Sequence, residues 1–303
     1  MKKFLTTFLT FFIPMLCVLT GLEYMVRKAP NEYQYKAEWM EKNADSVKTL
    51  VLGSSHAFYG INPAYLGTHS FSIANSAQSL NYDFFLLTKY ASAYKCLNRV
   101  IMPLSYFTLT IGDIENGKEW WRAINYKVFF DCPYHSFFSK YNFFISSPEP
   151  FRTKLFKLFY NSKKVGCDSL GFGYLDNHPI APDLSEAAAS SWVITHTAKD
   201  FSNVEKGKYY FYEIAKFCQT RHIQLVLIST PVWKTYYERL DRQQLTLMKN
   251  FARELQIKYN VAYYDYMTDN RFLPDDFSDC NHMSYTGAVK LSKILKEDLK
   301  LIE

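Results

Sequence analysis

The sequence predicts a three-layer α/β/α sandwich on a mostly parallel sheet, preceded by one membrane helix. Three observations predict it. Short apolar runs closed by turn residues recur at 48–53, 70–76, 98–105, 223–231 and 261–267. Helical spacings at 82–94, 208–221, 240–259 and 284–299 alternate with them. An uncharged run from Phe4 to Leu22 opens the chain. Strands buried on both faces read as continuous apolar runs, and strands alternating with helices need a parallel sheet.

The opening run is long enough to matter. Nineteen residues from Phe4 to Leu22 at about 1.5 Å each reach about 28 Å, close to the hydrocarbon thickness of a bilayer. Pro14 would kink such a helix without forbidding it. No small-x-small cleavage site precedes Glu23, and Cys17 sits in "PMLC", a poor lipoprotein box. Residues 1–28 therefore read as an uncleaved anchor, with 4–26 in the bilayer. Lys2 and Lys3 face Arg27 and Lys28 across the span, so charge does not choose the orientation. A large body behind one N-terminal anchor is expected outside the cytoplasm. Residues 29–47 are charged and polar and read as a membrane-proximal helix or linker.

The folded body follows, over 48–303. "KTLVLG" (48–53) is the first strand, "SFSIANS" (70–76) the second and "NRVIMPLS" (98–105) the third. From about 107 to 206 the rhythm breaks. That aromatic-rich stretch reads as an insertion after the third strand, helical and loop-like, of the kind that walls a cleft. Helix, strand, helix, strand and closing helix then complete the alternation.

Composition excludes several classes. The chain is 48% hydrophobic and 18% aromatic, which rules out disorder. A formal charge of +6 without a block of like charges gives nucleic-acid binding no support. Outside Cys17, five cysteines (96, 132, 167, 218 and 280) are scattered without metal-ligand spacing. The same is true of His69, His135, His178, His196 and His222. No metal or cofactor is expected.

The chemistry concentrates at two points. "VLGSSHAFYGINP" (51–63) ends a strand in glycine and two serines, and "DFSDCNHMSYTGA" (276–288) leads into the last helix. Sites in open parallel sheets form at the carboxyl ends of strands. A serine hydroxyl there needs a base for its proton and a carboxylate to orient the base. Asp279 and His282, three residues apart, can supply both from one turn.

These motifs resemble the SGNH (GDSL-type) hydrolases. That family carries a G-D-S motif after its first strand and D-x-x-H before its last helix; here "GSSH" and "DCNH" stand in those places. The resemblance implies Ser55 as nucleophile, His282 as base and Asp279 as its orienter. "GSSHAFYGINP" and "HMSYTGAVKLS" further resemble membrane-anchored members serving teichoic acid D-alanylation and polysaccharide O-acylation. Two family blocks are altered. "NSAQS" (75–79) lacks the usual glycine, and "PLSYF" (103–107) lacks glycine and asparagine. Ser55, Ala77, Asn75 and Ser105 are the oxyanion-hole candidates, with Gln78 or Tyr106 as further donors.

The resemblance implies a serine-dependent acyl-ester hydrolase or O-acyltransferase. It would act on a cell-envelope glycan or polymer through an acyl-serine, beside a membrane-bound O-acyltransferase. The alternative is an inactive SGNH-like domain that binds a glycan or docks on that membrane enzyme. His56 reads as structural and Cys280 as a buried small residue. Trp120, Trp121 and Trp192 read as core or membrane-proximal residues, or as stacking faces for sugar rings.

Overall fold

The computed structural model describes residues 1–134, 142–160, 162, 164–173 and 181–301. Its strands are β1 (Thr49–Val51), β2 (Ser70–Ser72), β3 (Arg99–Pro103), β4 (Gln224–Ser229) and β5 (Ala262–Asp265). They form one sheet in the order β2-β1-β3-β4-β5, and every neighbouring pair is parallel. All five expected strands are present, and the sheet is wholly rather than mostly parallel. Its centre is dry: Leu50, Val51, Val100, Ile101, Val226 and Leu227 are fully buried.

The helices are α1 (Lys2–Arg27), α2 (Glu32–Asn43), α3 (Ser55–Phe58), α4 (Leu80–Lys89), α5 (Ala123–Phe130), α6 (Pro148–Phe159), α7 (Glu186–His196), α8 (Val204–Thr220), α9 (Lys234–Tyr237), α10 (Arg242–Tyr259) and α11 (Tyr285–Asp298). Right-handed crossovers put α4, α8 and α10 on one face of the sheet. Those three pack side by side. On the other face, α11 packs on the turn at Pro63–Tyr65, and Ser292 Oγ accepts from the Asn62 N–H at 2.8 Å. Helix α4 stops five residues short of its apolar pattern. Ala91 and Ala93 bond back three residues, to Thr88 and Tyr90, and tighten the chain into turns.

The chain divides into two compact units. Met1–Ala37 and Glu119–Val165 form one, and Glu38–Lys118 with Gly166–Glu303 form the other. In the first, α1 runs unbroken through Pro14 and is long and apolar enough to cross a membrane. Its last turn is built into that unit. The Glu23 carboxylate accepts from the N–H groups of Phe144 and Ile145 at 3.2 and 3.1 Å. Arg27 pairs with Glu23 at 2.7 Å and donates to the Asn142 carbonyl at 2.6 Å. Val26 joins Ile124 and Phe144 in a small core.

In the second unit the turn after β1 has no room for a side chain. Gly53 sits at φ +119°, where L side chains are rare. A Cβ there would stand 2.4 Å from Pro103 Cδ, at the end of β3. Gly53→Ala is therefore expected to cost about 3 kcal/mol, read as a lowered denaturation midpoint of the full chain in detergent.

Candidate active site

Strand order reverses at β1, since the chain leaves it toward β2 and returns on the other side to β3. Ligand crevices in parallel sheets open at such a point, beyond the carboxyl ends of the two strands. Ser55 follows β1 there, as the first residue of α3. Ser54 precedes the helix in an extended conformation, and its carbonyl accepts from the N–H groups of Ala57 and Phe58. This short turn leaves Ser55 half-buried while its neighbours His56, Ala57 and Phe58 are buried.

The structure brings Ser55, His282 and Asp279 together. Ser55 Oγ lies 3.0 Å from His282 Nε2. His282 Nδ1 lies 3.0 and 3.2 Å from the two Asp279 oxygens. Asp279 also accepts the backbone N–H groups of Asn281 and His282, each at 2.8 Å. Those bonds close the Asp-x-x-His turn and explain its spacing, because one carboxylate both caps the turn and receives the ring. Burial raises the Asp279 pKa, but the His282 ring and the two N–H groups outweigh it and hold the carboxyl below its usual range. An ionised Asp279 selects the tautomer with hydrogen on Nδ1, which leaves the Nε2 lone pair facing the serine O–H.

The oxyanion candidates separate into two groups. Ser105 and the Asn75 side chain are engaged inside the fold. Ser105 is buried; its hydroxyl lies 2.7 Å from His56 Nδ1, and its N–H donates to Thr108 Oγ1. The Asn75 amide is fully buried and donates to Ile73 O and Gln78 Oε1. Gln78 Nε2 in turn donates to Asp83 at 2.6 Å. Tyr106 OH faces Thr197 and accepts from the Asp241 N–H. Ala77 and Ser55 stay half-exposed. Ala77 has φ +56°, the left-handed region that glycine adopts freely. It holds the backbone shape of a glycine with an alanine side chain. Beside it, Ser76 Oγ donates to Tyr59 OH at 3.3 Å, and the Tyr59 ring stands edge-on to His282 at 6.2 Å.

Three further residues shape the site: His56, read from the sequence as structural, Trp192, read there as a core or stacking residue, and Asp83, which the sequence reading missed. His56 Nδ1 lies 2.7 Å from Ser105 Oγ and 3.2 Å from Thr230 Oγ1, and its Nε2 lies 3.0 Å from Asn281 Oδ1. One ring thus joins the ends of β1, β3 and β4 to the residue before His282. Burial foremost, then the nearby His282 and His196, push its pKa down to about 3, so it stays neutral. Asp83 is the second. Its Oδ1 accepts from the Gly53 N–H at 2.7 Å and from Gln78, and burial lifts its pKa to about 7. Trp192 is the third in this role: its ring meets His282 edge-on at 5.2 Å. A side chain one residue past a motif, or on an α4 helix pattern, carries no signal of its own in a single sequence.

The remaining candidates fall outside the site or outside the structure. His196 is buried, and its Nδ1 lies 2.8 Å from Tyr236 OH. Cys280 is buried, with its Sγ 3.3 Å from the Asp183 carbonyl. All six cysteines are free thiols. His135 and His178 lie outside the described residues.

No family model matches this sequence, and no curated protein matches it. Solved structures do match. A Streptococcus pneumonia chain whose description names a platelet activating factor shares 12% identity, with 94% of this chain and 99% of that one covered at a TM-score of 0.43. A GDSL-like lipase from Bacteroides thetaiotaomicron shares 10%, covering 90% of this chain and 100% of its own at 0.40. A carbohydrate acetylesterase family member from Sinorhizobium meliloti shares 8%, covering 84% and 98% at 0.33.

Two expected outcomes follow from the buried groups. Asp83 binds its proton more tightly folded than unfolded. Its contribution is therefore full below about pH 4 and is lost as pH rises through about 7. Asp83→Asn keeps an oxygen for Gly53 and Gln78 without the charge, and should raise stability at pH 8 by about 2 kcal/mol with little change at pH 4. His56→Phe keeps a ring but strands Ser105, Thr230 and Asn281, and should cost about 3 kcal/mol in chemical denaturation. Ser105→Ala should cost less.

Proposed function

We propose that this protein is a serine acyl-ester hydrolase of SGNH type, held at a membrane by α1. The observation that carries the proposal is the single chain of contacts from Ser55 Oγ through His282 to Asp279, at the sheet's switch point. In this reading the Ser55 oxygen attacks an ester carbonyl as its proton passes to His282 Nε2. Asp279 steadies the resulting imidazolium through Nδ1–H. His282 then gives that proton to the departing alcohol, which leaves an acyl-serine. A second hydroxyl, activated by the same ring, releases the acyl group. Water as that second hydroxyl makes an esterase; a sugar or polymer hydroxyl makes an O-acyltransferase.

The finer identification extends the same reading. A cell-envelope glycan is the acceptor, the body lies outside the cytoplasm, and a multi-spanning O-acyltransferase is the partner. The retained anchor is supported by Glu23 and Arg27, which a cleaved leader would carry away from the segment they bond. The inactive alternative is favoured by one observation: the Ser105 and Asn75 donors are spent inside the fold. A missing oxyanion donor costs about 10²–10³ in rate.

A fluorophosphonate probe separates the two. The full chain in detergent should label, and so should Ser54→Ala. Ser55→Ala should not label, and His282→Ala should label at least about 10³-fold more slowly. A folded wild type that does not label overturns the enzyme reading.

A further inference from the structure

The first unit carries a feature that acyl transfer does not use. Between residues 119 and 165, 15 of 47 residues are aromatic, against 18% for the whole chain. Charge is just as uneven. Residues 1–37 and 119–165 hold 13 basic and 5 acidic residues, a formal +8, where the rest of the chain holds 22 and 24. The basic, aromatic part of the protein is the part that contains α1.

Helix α6 shows how this composition is used. Phe151, Leu155 and Leu158 pack inward, on the cluster of Val26, Ile124 and Phe144. That cluster includes the last turn of α1, where the apolar run ends. Among the described residues, the other side of α6 is uncovered. Phe156, Phe159 and Tyr160 are 60, 79 and 70% exposed, and the Phe156 and Tyr160 rings lie tilted with centroids 4.1 Å apart. Phe143, half-exposed, lies beneath the Arg27 guanidinium at 6.0 Å. Arg152 is exposed one turn before Phe156 on the same side. Three large aromatic faces in water have no use in a soluble body. Aromatic rings beside basic side chains are what the boundary between lipid headgroups and acyl chains favours.

We propose that the outer side of α6, with Phe143, is a membrane-binding surface that seats in the headgroup region of an anionic bilayer beside α1. The proposal rests on reading α1 as a span. Continuity decides the occupant: the packed end of α1 and the inner side of α6 share one core, so the uncovered aromatics sit in the same unit as the helix that enters lipid. The excess positive charge selects anionic lipid. The anchor would then be a helix with a foot, which limits tilt and swivel of this unit in a way one span does not.

Photo-crosslinking of the full chain in vesicles tests this. p-Benzoylphenylalanine replaces Phe156 or Phe159, with Phe11 in α1 as the lipid control and exposed Tyr209 in α8 as the water control. The vesicles are phosphatidylcholine with or without 30% phosphatidylglycerol. Positions 156 and 159 should give lipid adducts at least about fivefold above position 209, with yield rising on phosphatidylglycerol. Adducts at 11 but background yield at 156 and 159 overturn the surface and leave the anchor standing. Adducts only to protein at 156 and 159 overturn it in favour of a partner chain. No adduct at 11 overturns the anchor and the surface together, while serine labelling still reports on the active site independently.

Discussion

The turn after β1 has no spare volume, and the site depends on that. Gly53 closes against Pro103 at the end of β3, so the chain leaving β1 must turn sharply there. Asp83 grips the Gly53 N–H from α4. With the backbone clamped there, Ser55 emerges at the start of a one-turn helix with its hydroxyl 3.0 Å from His282 Nε2. The clamp is costly, since it keeps a carboxyl in a dry place. A water-filled turn would satisfy the N–H more cheaply, but it would not fix the serine.

The base is placed by a second constraint that meets the first through His56. The Asp279 carboxylate closes its own turn and receives the His282 ring. Asn281, between them, reaches back to the residue that follows the serine. The two halves of the triad are therefore tied by one buried imidazole as well as by their own contact. His56 stays neutral because burial disfavours its charged form, and the neighbouring His282 and His196 rings add to that. A neutral ring can hold three polar groups without competing for the proton that moves.

The sheet and the Asp279–His282 turn were legible in the sequence because each has a short-range signature, whereas the approach of Ser55 to them was an expectation from the resemblance of two distant motifs. Apolar runs ending in turn residues mark parallel strands, and Asp-x-x-His is the spacing at which one carboxylate caps a turn and meets a ring. The oxyanion side was not legible. "NSAQS" shows donors, but only the fold shows that the Asn75 amide turns inward and that the left-handed residue is Ala77. Ser105 looked like a site residue because it follows β3, and it does lie there, facing His56 instead. The insertion resisted reading because its 119–165 portion packs with residues from the other end of the sequence. Periodicity along the chain says nothing about such pairing.

Ser55 and His282 stand 227 positions apart. The serine is made early in synthesis and its base almost last, just ahead of α11. β3 and β4, which pair along the whole of β3, are themselves separated by the whole insertion. A chain interrupted anywhere before His282 thus lacks the ring that stands 3.0 Å from Ser55 Oγ. In the proposed reading, reactivity therefore waits for nearly the whole polypeptide.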